Sequence, residues 1–121
     1  MTEKQTYELE AVPNRYPDRD YTVDISIPEF TCVCPRTGLP DFATINIRYI
    51  PDETIVELKS LKHYILNFRD LGIFHEAVTN QIMDDLRNLL NPRWIEVEGD
   101  FRPRGGIKTV ITVQWPEKEQ A

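Results

Sequence analysis

The sequence has only two cysteines among its 121 residues, Cys32 and Cys34, and it lacks any apolar run long enough to span a bilayer. Its first residues are polar and acidic, without the basic and then apolar order of a secretory signal. The sequence therefore predicts a cytoplasmic protein that has no membrane partner. Thiols stay reduced in that compartment, so both cysteines are expected to be free.

Acidic residues outnumber basic ones. The sequence has 14 Lys and Arg and 20 Asp and Glu, which give a formal net charge of -6. Proteins that bind nucleic acids neutralise phosphates with clusters of positive charge, which this composition does not provide. No direct nucleic-acid partner is expected. A small anionic ligand remains compatible with the composition, since a few local lysines can hold phosphates whatever the global charge.

Two kinds of cofactor motif are also missing. The Gly105-Gly106 pair is not part of a G-x-G-x-x-G sequence, which excludes a Rossmann domain. Four residues offer atoms that bind zinc, namely Cys32, Cys34, His63 and His75. Two cysteines separated by one residue, with two scattered histidines, match no compact zinc pattern. The sequence predicts no metal, and a zinc site is the less favoured alternative.

A chain of this length suffices for one domain with a hydrophobic core. We divide it into an N-terminal arm (1–20) without a steady period, a single domain (21–116) and a charged tail (117–121). Apolar residues alternate in strands and recur at helical spacing in helices. This predicts strands at 21–28, 42–50, 54–57, 94–101 and 107–115, and helices at 60–68 and 74–90. Pro28 is expected to end the first strand, and a turn at 51–53 to form a β-hairpin. The order β-β-α-α-β-β predicts an α+β domain.

The loop from Cys34 to Asp41 is the first candidate for chemistry. A free cysteine is most often a small buried hydrophobe, and an aspartate in a turn is most often a capping carboxylate. Prolines and Gly38 nevertheless place Cys34 in a loop, where a thiol can meet a ligand. An acid held near a thiol and away from water can keep its proton at neutral pH, as a general acid must. Cys32 is better interpreted as a packing residue at a strand end.

Two further groups of polar residues allow both a plain and a functional interpretation. Lys59 and Ser60 lie at a predicted helix start, which is either a solvated surface or an anion site, and Arg104 could extend that site from another loop or subunit. His75 and Glu76 open the second helix. They are either an ordinary surface pair or, through the carboxylate, a bidentate anchor for a guanine-like ring. Glu57 could serve in the same way.

Three stretches, at 30–45, 57–64 and 68–76, resemble a known family, the NADPH-dependent 7-cyano-7-deazaguanine reductases, which are the nitrile reductases of queuosine biosynthesis. The Glu57-Leu-Lys-Ser-Leu-Lys62 run is similar to the family's signature, and the resemblance covers roughly residues 20 to 115. His63 departs from the family pattern, on a helix side chain. The resemblance implies the tunnelling fold, with two helices on one face of an antiparallel sheet, in its single-domain form. It also implies a ring-forming homo-oligomer, commonly a decamer of two pentamers, with sites at subunit interfaces.

The resemblance further implies roles for individual residues. Cys34 would be the nucleophile and Asp41 the proton donor. The remaining assignments are substrate contacts at Val56, Glu57, Leu58, His75 and Glu76, and NADPH contacts at Lys59, Ser60 and Lys62. We add Arg104 to the NADPH contacts, as an extension of the same site. The expected reaction reduces the nitrile of 7-cyano-7-deazaguanine to an aminomethyl group through a covalent thioimide, with two NADPH molecules per turnover. Two alternatives stay open, a zinc-dependent pterin enzyme related in shape to GTP cyclohydrolase I and a non-catalytic purine-binding assembly module.

Overall fold

The computed structural model describes residues 6–117. Its elements, in chain order, are β1 (Ala11–Pro13), β2 (Val23–Val33), β3 (Pro40–Ile50), β4 (Thr54–Val56), α1 (Leu58–Ile65), a short 3₁₀ helix (Leu66–Phe68), α2 (His75–Leu90), β5 (Trp94–Arg104) and β6 (Ile107–Trp115). Within the described residues, no helix is both long and apolar enough to cross a membrane. Most of the predicted charged tail lies outside the described residues, and the division into arm, domain and tail stays a prediction.

The four long strands form one antiparallel sheet in the order β2-β3-β5-β6. In the central strand β3, every second residue is buried, among them Ala43, Ile45, Ile47 and Tyr49. These side chains form one core cluster with the apolar faces of α1 and α2. Because a strand presents alternate side chains to opposite faces, both helices cover the same face of the sheet. The predicted α+β class and the order of the long elements are confirmed.

The prediction that Pro28 ends the first strand is wrong. Strand β2 continues to Val33 through a bulge, since Ile27 pairs with Ile45 while Phe30 pairs with Ala43. A proline is tolerated there because β2 is an edge strand and a bulge leaves one residue outside the ladder. The extra residue keeps Phe30 on the core face, where it is fully buried.

The predicted hairpin between β3 and β4 is also wrong. Strand β4 pairs with β1 in a separate two-stranded sheet, in which Ala11 lies opposite Val56. The arm therefore contains a strand, although the sequence predicted no regular structure there. Before β1, the backbone of Tyr7 exchanges two hydrogen bonds with the side chain of Asn67, at 2.9 and 2.7 Å. Among the hairpins that the structure does contain, the one that joins β2 to β3 carries Cys34 in its loop.

Candidate active site

The loop between β2 and β3 holds Cys34 and Asp41 close to each other. Cys34 follows the last residue of β2, and Asp41 is the second residue of β3. The Cys34 N–H donates to the carbonyl of Leu39, and the Gly38 N–H donates to the carbonyl of Cys34, both at 2.9 Å. Gly38 has a φ of 73°, a left-handed conformation that glycine adopts without strain. Two backbone bonds and one glycine thus close a tight loop with the thiol at its start.

Asp41 lies in the core-facing row of β3 and is only 5% exposed. Its carboxylate is compensated by two partners from distant parts of the chain. Arg104 donates to Asp41 Oδ1 at 2.8 Å, and His75 Nε2 lies 3.1 Å from Oδ2. A buried carboxylate needs such partners, because burial of an unpaired charge is costly. The structure therefore brings together Asp41, His75 and Arg104 beside the Cys34 loop.

His75 reaches this position because the segment before α2 is attached to the end of β2. Val33 accepts a hydrogen bond from the N–H of Ile73 and donates one to the carbonyl of Leu71, both at 3.0 Å. The His75 ring stacks on Phe101, with ring centroids 3.8 Å apart and planes tilted by 6°. Sequence analysis grouped His75 with Glu76, and did not anticipate the contact with Asp41.

The two thiols are in different electrostatic states. Hydrogen bonds from the Thr37 side chain and the backbone N–H groups of Arg36 and Thr37, with a further contribution from Arg104, lower the pKa of Cys34 to about 6. Burial, followed by the charges of Asp41 and Cys34, raises the pKa of Cys32 to about 11. The thiolate is the nucleophilic form of cysteine. At neutral pH Cys34 is therefore the reactive thiol, whereas Cys32 is a fully buried packing residue.

The residues at the start of α1 form a second group. The Glu57 carboxylate caps the helix by accepting from the N–H groups of Lys59 and Ser60 at 2.7 and 2.8 Å. A phosphate at this helix start would have to displace that carboxylate. The buried Ser60 hydroxyl donates to the Glu57 carbonyl and accepts from the Glu10 N–H, so it has no proton left for another acceptor. Lys59 and Lys62 are exposed.

The neighbouring predicted substrate contacts differ in accessibility. Val56 is buried and donates its N–H to the Tyr49 hydroxyl at 3.0 Å, whereas Leu58 is 61% exposed. Glu76, in the first turn of α2, is exposed, and its carboxylate makes no hydrogen bond or ion pair to any described residue. Of these side chains, Glu76 and Leu58 are free to meet a ligand.

The residues around the Cys34 thiol and the residues at the start of α1 lie far apart in one chain. Asp41 and Tyr49 are separated by eight residues of the same extended strand, which span roughly 25 Å. Val56 is held at the Tyr49 end by its hydrogen bond to the hydroxyl. The start of α1 thus lies at the opposite end of β3 from the thiol, and a ligand-sized site cannot include both within a single copy.

The described part of the chain contains no group of three or more His, Cys, Asp or Glu side chains that could hold a metal ion. The absence of a metal in the active protein stays a prediction.

Sequence analysis missed two residues of the site. Thr37 appeared only as a loop residue, yet its hydroxyl accepts from Arg104 at 2.5 Å and from the Leu39 N–H at 3.2 Å. Phe101 appeared only as a strand residue, yet its ring stacks on the His75 ring. No local pattern reveals the stacking on Phe101. Arg104 was expected at an anion site, and its contacts with Asp41 and Thr37 were not anticipated.

Fold and site together define an α+β protein with a nucleophilic thiol beside a carboxylate–imidazole pair. The family model described as QueF-like protein matches residues 40–120. A protein named NADPH-dependent 7-cyano-7-deazaguanine reductase from Anaeromyxobacter sp. (strain Fw109-5) is 58% identical over 118 residues, which are 98% of this chain and 97% of the relative. One of the same name from Aquifex aeolicus (strain VF5) is 59% identical and covers 91% of this chain and 85% of its own length. The chain belongs to the QueF-like family.

A solved structure agrees with this fold. The archaeosine synthase QueF-Like, in its apo form, superposes with a TM-score of 0.75 and covers 81% of this chain and 96% of its own. Its sequence identity is 17%, so this likeness concerns the fold alone.

Proposed function

We propose that this protein is an NADPH-dependent reductase that converts the nitrile of 7-cyano-7-deazaguanine to an aminomethyl group, as a step of queuosine biosynthesis in the cytoplasm. The observation that carries the proposal is the position and ionisation of the Cys34 thiol. Its pKa is lowered to about 6, and it lies at the start of a loop whose other end leads to Asp41, which is paired with His75. Relatives that bear the name of this activity match nearly the whole chain. A reducing compartment such as the cytoplasm keeps thiols free, which agrees with this location.

Cys34 performs the first step. Its thiolate adds to the nitrile carbon, a carbon–sulfur bond forms, and one π bond of the nitrile becomes a lone pair on nitrogen. Protonation of that nitrogen gives a covalent thioimide. Covalent capture of this kind divides one difficult reduction into easier steps.

Asp41 supplies the proton to the nitrogen. The Asp41 carboxylate is paired with Arg104 at Oδ1 and with His75 at Oδ2, so it has to take up a proton before it can donate one, and His75 Nε2 at 3.1 Å is the group that can pass that proton on. The stacking of His75 on Phe101 fixes the plane of the imidazole and so keeps Nε2 close to the carboxyl oxygen. A positioned acid of this type contributes on the order of 10²–10⁴-fold to a rate.

NADPH, when bound, supplies hydride. The full reaction consumes the nitrile, two NADPH and two protons and yields the primary amine and two NADP⁺. The exposed Lys59 and Lys62 fit the need for cationic groups at the cofactor phosphates. Ser60 would have to release the Glu57 carbonyl to donate to a phosphate, whereas Arg104 has N–H donors beyond the two bonded to Asp41 and Thr37.

The substrate ring needs an anchor, for which the unpaired carboxylate of Glu76 is suited. A carboxylate can accept two hydrogen bonds from the N–H and amino groups of a guanine-like ring. Glu57, Leu58 and Val56 can contact the same substrate only if a second copy of the chain contributes them, because they lie at the other end of β3. We therefore propose a ring-forming homo-oligomer, a decamer of two pentamers, with sites shared between subunits.

The decisive experiment is intact-mass analysis after incubation with 7-cyano-7-deazaguanine without NADPH. We expect a covalent adduct with the mass of one substrate per chain, and no adduct with Cys34→Ala. Cys32→Ala should still form the adduct, since Cys32 is buried and its pKa is raised to about 11. No adduct on the wild-type protein, or an equal adduct on Cys34→Ala, would contradict the mechanism.

A further inference from the structure

Arg104 connects two parts of the site through a single guanidinium group. One nitrogen, Nη1, donates to Asp41 Oδ1 at 2.8 Å, and the other, Nη2, donates to Thr37 Oγ1 at 2.5 Å. Asp41 belongs to strand β3, whereas Thr37 belongs to the loop that carries the thiol. The planar fork of arginine is suited to such a bridge, because its donors have a fixed relative geometry.

A shift in the pairing register of β5 places Arg104 in this position. Phe101 pairs with Thr109 on β6, whereas Arg104 pairs with Ile107. Thr109 and Ile107 are two residues apart and so point to the same face, which means that Phe101 and Arg104 also share a face. In a regular strand, an odd spacing of three would place these two side chains on opposite faces. The bulge therefore turns Arg104 towards Asp41.

Thr37 is the side chain through which Arg104 can act on the sulfur. Its oxygen accepts from Arg104 Nη2 and from the Leu39 N–H, so its own proton is free to be donated. Hydrogen bonding from the Thr37 side chain is the largest cause that lowers the pKa of Cys34, and Arg104 itself acts in the same direction. The other titratable groups around the loop are Asp41, His75, Cys32 and the loop's own Arg36.

We propose that Arg104 is a positioning residue for Cys34. By bridging Asp41 and Thr37, its guanidinium holds the loop closed, directs the Thr37 hydroxyl at the sulfur and keeps the thiol beside the carboxyl group. This assignment rests on the proposed function for its chemical meaning, but it concerns the protein before any ligand binds.

The test is the rate of iodoacetamide alkylation of Cys34 against pH, without nitrile or nucleotide, read by peptide mass. The wild-type midpoint is expected near pH 6. Removal of the charge in Arg104→Gln, or of the hydroxyl in Thr37→Val, should raise the midpoint by about one unit. Arg104→Lys should give an intermediate midpoint, because an ammonium cannot bridge two oxygens as a fork does. The matched control is Arg102→Gln, which removes the same charge from an exposed position on the same strand and should leave the profile unchanged.

The proposal is overturned if Arg104→Gln has the midpoint of Arg102→Gln, or if Arg104→Lys has the wild-type midpoint. It is equally overturned if Arg104→Gln raises the KM for NADPH with an unaltered alkylation profile, which would make Arg104 a cofactor contact alone. Should Arg104→Gln fail to fold, Thr37→Val and Arg104→Lys still decide the question. Failure of the proposed function would look different from failure of this proposal. The wild-type protein would then form no nitrile adduct, while its alkylation by iodoacetamide would still have a midpoint near pH 6.

Discussion

Cys32 and Cys34 differ in reactivity because one side chain points into the core and the other lies at the start of a loop. Cys32 is fully buried and pairs across the ladder with Asp41, so its thiolate would be both desolvated and repelled. Cys34 is half-buried and its thiolate is surrounded by hydrogen-bond donors. At pH 7 a thiol with a pKa of about 6 is mostly in the thiolate form.

Asp41 provides the residue-scale prediction. Asp41→Asn keeps the shape of the side chain but removes the proton-donating group, so turnover should fall on the order of 10²–10⁴-fold, while substrate still binds. NADPH oxidation followed by absorbance would measure the loss, and a substrate titration would measure binding. Asp100→Asn makes the same chemical change at a carboxylate that pairs with Lys108 on the sheet, and should keep wild-type turnover. Wild-type turnover by Asp41→Asn would remove Asp41 from the proton-donor role.

The position of Asp41 could have been inferred more fully from the sequence. Asp41, Ala43, Ile45 and Ile47 occupy alternate positions, and the structure buries all four on the core face. The predicted strand began one residue later, at position 42, so Asp41 was assigned to the loop. The pairing of Asp41 with His75 was beyond local patterns, because 34 positions separate them along the chain and a backbone bridge at Val33 and Gly72 brings them together.

At the scale of elements, the packing of α2 on β5 depends on the absence of a side chain at Gly99. A Cβ atom there would lie 2.4 Å from Thr79 Oγ1 and 2.9 Å from Phe101 Cε2. Thr79 is fully buried on α2 and donates its hydroxyl to the carbonyl of His75 at 2.8 Å. The same close approach therefore supports the helix turn that presents His75 to Asp41.

We expect Gly99→Ala to lower the free energy of unfolding by about 1–3 kcal/mol, because an added methyl group in a closely packed interior forces neighbours to shift. Gly72→Ala is the matched control. A Cβ at Gly72 would meet only Pro35, at 3.5 Å, which is an ordinary contact. Its cost should stay within about 0.5 kcal/mol. Urea unfolding of both variants provides the measurement, and equal losses would show that the approach of α2 to β5 is not the limiting contact.

The long elements could be predicted from sequence because each has its own period, as in β3 and α2. The short strand β4 could not be assigned a partner in this way. Its three residues pair with β1, more than 40 positions away, and a local turn signal at 51–53 favoured the wrong neighbour. Bulges made the predicted strands too short. Pro28 and Pro103 interrupt the alternation of apolar and polar residues in the sequence, but the strands continue through them.

For the whole molecule, the separation of the two predicted groups is the central constraint. The first group of residues, around the thiol, contains Cys34, Asp41, His75 and Arg104. The second group surrounds the start of α1. Roughly 25 Å of strand β3 lies between their anchoring residues. If both groups act on one substrate, two copies of the chain must meet, with the thiol of one beside the α1 start of the other. A decamer would have a mass of about 142 kDa, ten times 14.2 kDa.

Complementation between inactive variants tests this arrangement. We expect Cys34→Ala and the double variant Lys59→Ala/Lys62→Ala to be inactive alone, and their co-expressed mixture to regain about a quarter of wild-type activity, since random assembly gives one site in four with both halves intact. Cys34→Ala mixed with Asp41→Asn is the control. Both changes damage the same half of the site, so no assembly of these copies restores an intact pair. Native mass spectrometry would establish that the subunits have mixed. A mixed oligomer without recovered activity would mean that one copy supplies the whole site, and that the lysines at α1 do not serve the thiol of a neighbour.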